Sequence, residues 1–127
     1  MKTARQTVGK RGEDEACDYL RGLGHSIIAR NWRSGHQEID IVSLDSGGMH
    51  FVEVKSLTAP VTADPVLKVN APKMHNIVRA AQAFIRSQER KCLPCNPEIF
   101  FDVVTVIFDN NRAEIAYYPQ AFIPTYV

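Results

Sequence analysis

Residues 37–55 read QEIDIVSLDSGGMHFVEVK, and this stretch decides the fold. Two alternating runs, Gln37 to Leu44 and Met49 to Lys55, flank Asp45-Ser46-Gly47-Gly48. Alternation with a period of two marks half-buried strands, and a polar, Gly-rich turn between them marks an antiparallel hairpin. Successive side chains leave a strand on opposite faces, so Glu38, Asp40 and Val42 share one face, as do Phe51, Glu53 and Lys55. A hairpin centred on Ser46-Gly47 sets Asp45 opposite Gly48, Val42 opposite Phe51, Asp40 opposite Glu53 and Glu38 opposite Lys55. Directly opposed Cβ atoms stand roughly 4.5–5.5 Å apart, and two carboxylates at that spacing repel. Ile39, Ile41, Val52 and Val54 surround them with apolar surface, so water screens the repulsion incompletely. A shared proton, the ammonium of Lys55 or a divalent cation would offset it. Mg²⁺ suits such a place because it takes one or two carboxylates and keeps several waters. A buried Glu–Lys network, Glu38–Lys55 or Glu53–Lys55, is the alternative without a metal.

Upstream, Gly9, Ala16, Cys17, Leu20 and Leu23 recur at helical spacing, with Lys10, Arg11, Asp14, Asp18 and Arg21 on the other side. The pattern predicts a helix from Thr7 to Leu23 that ends at Gly22 and Gly24. Glu13 lies one turn before Cys17, at the edge of the buried stripe, where a carboxylate is costly unless paired. It is the third candidate acid. A strand over Ser26 to Trp32 follows.

Downstream, Ser56 to Val69 reads as a long loop, and Asn70 caps a second helix with Pro72 in its first turn. Met74, Ile77, Val78, Ala81, Phe84 and Ile85 form that helix's apolar stripe. Lys73, Arg79 and Arg86 make it basic and are the candidate contacts to a nucleic-acid backbone. Ile99 to Phe108 is almost wholly apolar, as a strand covered on both faces is. A turn and a fifth strand, Ala113 to Tyr118, complete the order α-β-β-β-α-β-β. The fold class is α/β, a mixed sheet flanked by helices.

At 127 residues with 45% hydrophobic and 23% charged residues, the expectation is one globular domain over 1–127. The net charge of +1 excludes a histone-like polycation but leaves room for a local basic patch. Three cysteines imply no disulfide framework, and Met1 to Glu15 contains no apolar leader core. The expectation is a cytoplasmic chain with no membrane partner. Cys92-x-x-Cys95 has metal-ligand spacing but lacks a second pair. His25, His36, His50 and His75 show no catalytic pattern. Trp32 and Tyr19 read as packing residues, and Asp102, alone in an apolar strand, as a group bonding buried backbone or a basic side chain.

Asp40 followed by Glu53-Val54-Lys55 resembles the D…(D/E)xK core of the restriction-endonuclease-like nucleases. More narrowly, Gly9-x-x-Gly12-Glu13, Asn31-x-Arg33, Glu38-Ile39-Asp40, Phe51-Val52-Glu53-Val54-Lys55, Lys73 and Phe101-Asp102-Val103-Val104 resemble the bacterial YraN-like family of predicted nucleases, related to Holliday-junction resolvases. The resemblance runs over about residues 8 to 108. It implies a restriction-endonuclease-like fold and a metal-dependent endonuclease acting on DNA, with branched or repair intermediates as one substrate class. It further implies that Asp40 and Glu53 ligate Mg²⁺ or Mn²⁺, that Glu13 assists, that Lys55 positions the attacking water, and that a homodimer is one working arrangement. Gln37 and Leu57 depart from the family pattern, which has Gly and a basic residue at those places. They keep open a non-catalytic nucleic-acid-binding or adaptor protein that retains the fold. A protein-interaction module with a structural Glu–Lys network is a third reading.

Overall fold

A computed structural model of the chain describes residues 4–61, 71–87 and 97–122. The elements are α1 (Ala4–Gly22), β1 (Ser26–Ser34), β2 (Gln37–Asp45), β3 (Gly48–Thr58), α2 (Ala71–Ile85), β4 (Ile99–Asp109) and β5 (Arg112–Tyr118). The five strands form one mixed sheet in the order β1-β2-β3-β4-β5. This matches the expected α-β-β-β-α-β-β order and is consistent with a restriction-endonuclease-like fold. All neighbours are antiparallel except β3 and β4, which run parallel through the α2 crossover.

The sheet lies between the two helices. On one face Ile77, Val78, Ala81 and Phe84 of α2 pack on Val42, Met49, Phe51 and Phe101. On the other, Ala16, Cys17 and Leu20 of α1 pack on Ile41, Val52, Val104, Val106 and Phe108. β4 supplies residues to both clusters, which is why its sequence is apolar throughout. Trp32 and Tyr19 are packing residues: Trp32 meets Phe84 edge-on, and Tyr19 meets Tyr117. Phe122, past the last strand, stacks on Phe101.

The β2–β3 hairpin has the expected register from Asp45↔Gly48 to Ile41↔Val52, and the ladder stops there. Beyond it β2 stays with β1 as far as Ser34↔Gln37, while β3 stays with β4 as far as Thr58↔Phe108. The strands therefore part at Asp40 and Glu53. Glu38 does not meet Lys55; it pairs with Arg33 at 3.1 Å. Ser56, Leu57 and Thr58, expected in a loop, are strand, because β4 gives them a parallel partner. Of the remaining expected loop, residues 62–69 lie outside the described residues, as do the expected cap Asn70 and Cys92 and Cys95. Leu23, expected in the apolar stripe, follows the end of α1 and is 51% exposed.

Two glycines fix close approaches. A Cβ on Gly12 would fall 1.7 Å from Ser56 Oγ and 2.7 Å from Ser56 Cβ, so α1 reaches β3 only because position 12 has no side chain. Gly48 has a φ of 150°, and a Cβ there would stand 2.4 Å from the carbonyl oxygen of Glu98. The first approach sets Glu13 beside the parting strands, and the second seats the start of β3 against the segment leading into β4.

Candidate metal and nucleic-acid site

Where β2 and β3 separate, an open cleft of about 550 Å³ is lined by Glu13 of α1, Asp40 of β2, Glu53, Lys55 and Leu57 of β3, and Lys73 of α2. Asp40, Glu53 and Lys73 also line a neighbouring hollow with Glu38 and Asn76. The acidic pair thus stands between two openings where the two inner strands separate.

Each acid is held differently. With no β2 backbone opposite it, the Val54 N–H donates to Asp40 Oδ2 at 2.8 Å, so a side-chain carboxylate ends the ladder in place of a carbonyl. Burial and then the adjacent Glu53 carboxylate push the Asp40 pKa up to about 8, against the pull of the Val54 bond. The Glu53 carboxylate, 5% exposed as a residue, receives the Lys73 ammonium at 2.8 Å and has the Lys55 ammonium at 3.7 Å. Burial lowers the Lys55 pKa, and the neighbouring Lys73 cation adds to the effect. For Lys73 burial acts the same way, but the bond to Glu53, the Glu53 and Asp40 charges and the contact with Lys55 together outweigh it and the pKa rises. Glu13 has a raised pKa because burial outweighs a hydrogen bond with the Asn31 side chain and the charge of Arg30.

The expected residues Glu13, Asp40, Glu53, Lys55 and Lys73 therefore come together in one cleft. Glu13, Asp40 and Glu53 do not converge as tightly as three donors elsewhere in the fold, described below, whose ligand atoms all lie within 4.8 Å of one another. Glu13, Asp40 and Glu53 are the oxygen donors of this cleft that could hold a metal ion. Arg79 and Arg86 do not line this cleft; Arg79 is exposed on α2 and Arg86 is exposed just past its end.

Two features escape a reading by local spacing. Asn31 adopts a φ of 49° within β1, a conformation Asn tolerates better than most residues, and its side chain bonds Glu13. Lys10, Arg30 and Arg33 line a hollow of about 710 Å³ that shares Gly9 and Glu13 with the acidic cleft. Asn31-x-Arg33 is the trace that this edge leaves in the sequence. Among the described residues no helix is long and apolar enough to cross a membrane.

Residues 12–106 match the model of the uncharacterised protein family UPF0102. A UPF0102 protein of Bacteroides thetaiotaomicron is 38% identical over 117 residues, which is 92% of this chain and 93% of that protein. One from Nitratidesulfovibrio vulgaris is 35% identical over 122 residues, covering 96% of this chain and 88% of its own length. One from Oleidesulfovibrio alaskensis is 39% identical over 111 residues, 87% of this chain but 53% of that longer protein. The matched span runs from Gly12, where α1 meets β3, to Val106 of β4, and so includes every acid of the cleft; the chain belongs to the uncharacterised protein family UPF0102.

Proposed function

We propose that this chain is a metal-dependent nuclease that hydrolyses phosphodiester bonds of DNA at the cleft between β2 and β3. The observation that carries the reading is that Asp40 and Glu53 line one cleft where the strands part, with Lys55 on the same wall. The donor set fits a hard divalent cation, since every acid offers oxygen and Asp40 has a pKa raised by burial and by its like-charged neighbour. Asp40 and Glu53 would hold Mg²⁺ or Mn²⁺, with Glu13 fixing a water beside it. Bound there, the ion would supply Lewis-acid polarisation of a phosphoryl oxygen. Lys55, shielded from solvent by the cleft wall, would orient the attacking water and stabilise negative charge developing on the phosphate. Lys73 would hold Glu53 until the cation arrives and then turn to the substrate. Lys10, Arg30 and Arg33 give the phosphate backbone a basic path beside Glu13. Arg79 and Arg86 would touch only a substrate long enough to pass around α2.

Calorimetric titration with Mn²⁺, without nucleic acid, tests the site. Glu53→Gln is expected to lower Mn²⁺ affinity by at least the factor of about 10–100 that losing even an outer partner of a metal site costs. An unchanged isotherm would remove Glu53 from the site. On a panel of linear and branched DNA with Mg²⁺, Lys55→Ala is expected to slow cleavage about 10²–10³-fold while leaving Mn²⁺ binding in place. Undiminished cleavage would exclude Lys55 from the chemistry.

The 2.8 Å Lys73–Glu53 pair favours a second reading, a non-catalytic nucleic-acid-binding or adaptor protein, because an internal cation already answers Glu53. That protein would bind DNA without a divalent ion, with affinity falling steeply as salt rises, and would cleave nothing.

A further inference from the structure

At the opposite end of β3 from the acidic cleft, on the α1 face, lies a second polar cluster that the nuclease reading does not use. The β1–β2 register puts Ser26 beside Leu44, so His25, just before β1, reaches the β2–β3 turn. There His25 Nε2 lies 3.4 Å from Asp45 Oδ2, and His50 Nε2 lies 2.9 Å from Asp45 Oδ1. The two imidazoles are tilted by 49° to each other, with centroids 4.5 Å apart. Their side chains are only 3% and 8% exposed, while that of Asp45 is 26% exposed and opens the cluster to solvent. Among the described residues this is the one group of His, Cys, Asp and Glu whose ligand atoms all lie within 4.8 Å of one another.

We propose that His25, Asp45 and His50 form a separate binding centre for a Zn²⁺-type ion. Two imidazole nitrogens and one carboxylate oxygen make a three-ligand set of the kind zinc accepts, with a fourth position left for water. Two nitrogen donors favour a borderline transition ion over Mg²⁺. The groups behind the ligands strengthen the assignment. His50 Nδ1 donates to Asp102 Oδ2 at 2.6 Å, the carboxylate–histidine pairing that orients a ligand ring and sharpens its other nitrogen. Asp102, fully buried, is itself fixed by the Tyr117 hydroxyl at 2.5 Å and by the Gln120 N–H at 2.9 Å. His25 Nδ1 is 2.8 Å from Ser43 Oγ. Both rings therefore have Nδ1 engaged and Nε2 turned to the same place. The Gly47 and Gly48 N–H groups donate to Asp45 Oδ1 and hold that carboxylate at the turn. Two carboxylates, Asp45 and Asp102, converge here beside two imidazoles; one divalent ion between neutral rings cancels their charge. The ion would clamp the α1–β1 junction to the hairpin turn and leave the acidic cleft free for Mg²⁺ or Mn²⁺.

The test is equilibrium dialysis of the full chain against Zn²⁺ and, separately, Mg²⁺, with bound metal read by atomic emission. The host carries Glu13→Gln, Asp40→Asn, Glu53→Gln, Cys92→Ser and Cys95→Ser, which removes the acids of the cleft and the Cys92-x-x-Cys95 pair. The expected result is one Zn²⁺ per chain and no Mg²⁺. Co²⁺ in place of Zn²⁺ should show four-coordinate ligand-field bands with no sulfur charge-transfer band. In the same host, His25→Gln and Asp45→Asn should each lower Zn²⁺ affinity at least 10–100-fold, and Ser43→Ala by about 10-fold. Asp45→Asn keeps an acceptor for the turn amides, and circular dichroism shows whether each variant is folded. Absence of Zn²⁺ uptake by the folded host, or uptake unchanged in both His25→Gln and Asp45→Asn, would overturn the proposal.

Discussion

Asp40→Asn is expected to stabilise the metal-free protein, and increasingly so as the pH rises. Asp40 has a pKa of about 8 in the fold, where burial and Glu53 oppose its charge, against roughly 4 for an unfolded aspartate. Between those values the folded chain binds the extra proton, so wild-type stability falls with pH across that window and levels off above pH 8. Asparagine does not titrate, yet its carbonyl oxygen still accepts the Val54 N–H. The difference between wild type and variant should therefore be smallest near pH 4 and grow towards pH 8, with a limiting slope of about 1.4 kcal/mol per pH unit. Urea titrations in chelator at pH 5 and pH 8.5 measure the divergence. Excess Mn²⁺ should restore wild type at the higher pH and do little for Asp40→Asn, because a cation rewards only the carboxylate. Parallel stability curves would mean that Asp40 ionises as an ordinary surface acid.

Phe84→Ala should cost about 3–5 kcal/mol, as the loss of a buried aromatic ring does. Phe84 is fully buried and meets Trp32 and Phe51 edge-on, with centroids 5.3 Å and 5.9 Å away. It thus joins α2 to β1 and β3 at once. Phe51 is held in its own stack on Phe101, so it does not swing into the space the ring leaves. The loss should also reach the cleft, because the same helix carries Lys73 to Glu53. Denaturant unfolding gives the stability. The amide spectrum of the folded variant shows whether Lys73 still holds Glu53. A cost below about 1 kcal/mol would show that α2 docks without this ring.

The order of elements was legible because each rests on local chemistry. Alternation over Gln37 to Lys55 with Gly47-Gly48 at the turn settled the hairpin and its register as far as Ile41↔Val52. The point where the strands part was not legible. It depends on β4, whose residues lie fifty positions beyond their partners, capturing the end of β3 in a parallel ladder, and on one side chain replacing a backbone acceptor. Local alternation carries neither fact, which is why Glu38 was expected opposite Lys55 and Ser56 to Thr58 in a loop. The cleft acids were readable because like charges opposed on a hydrophobic hairpin demand an explanation. The cluster of His25, Asp45 and His50 was not, because no fixed spacing links the three. The β1–β2 register joins His25 to the turn, and the parallel β3–β4 register brings Asp102 behind His50. Asp102 alone was anticipated, as a buried acid needing partners, and it has His50, Tyr117 and the Gln120 amide.

The carboxylate that ends the β2–β3 ladder also turns the Val54 amide into a reporter. That proton is donated to Asp40 Oδ2 rather than to a carbonyl, so its magnetic environment follows the charge on one side chain. Protonation of Asp40, its replacement by asparagine and the arrival of a cation each change the acceptor's electron density without moving the strand. A single cross-peak in a nitrogen–proton spectrum would register all three, and its amide exchange rate would count how often the carboxylate lets go. The chain thus carries, inside its own sheet, a label for the occupancy of its cleft that needs no substrate to read.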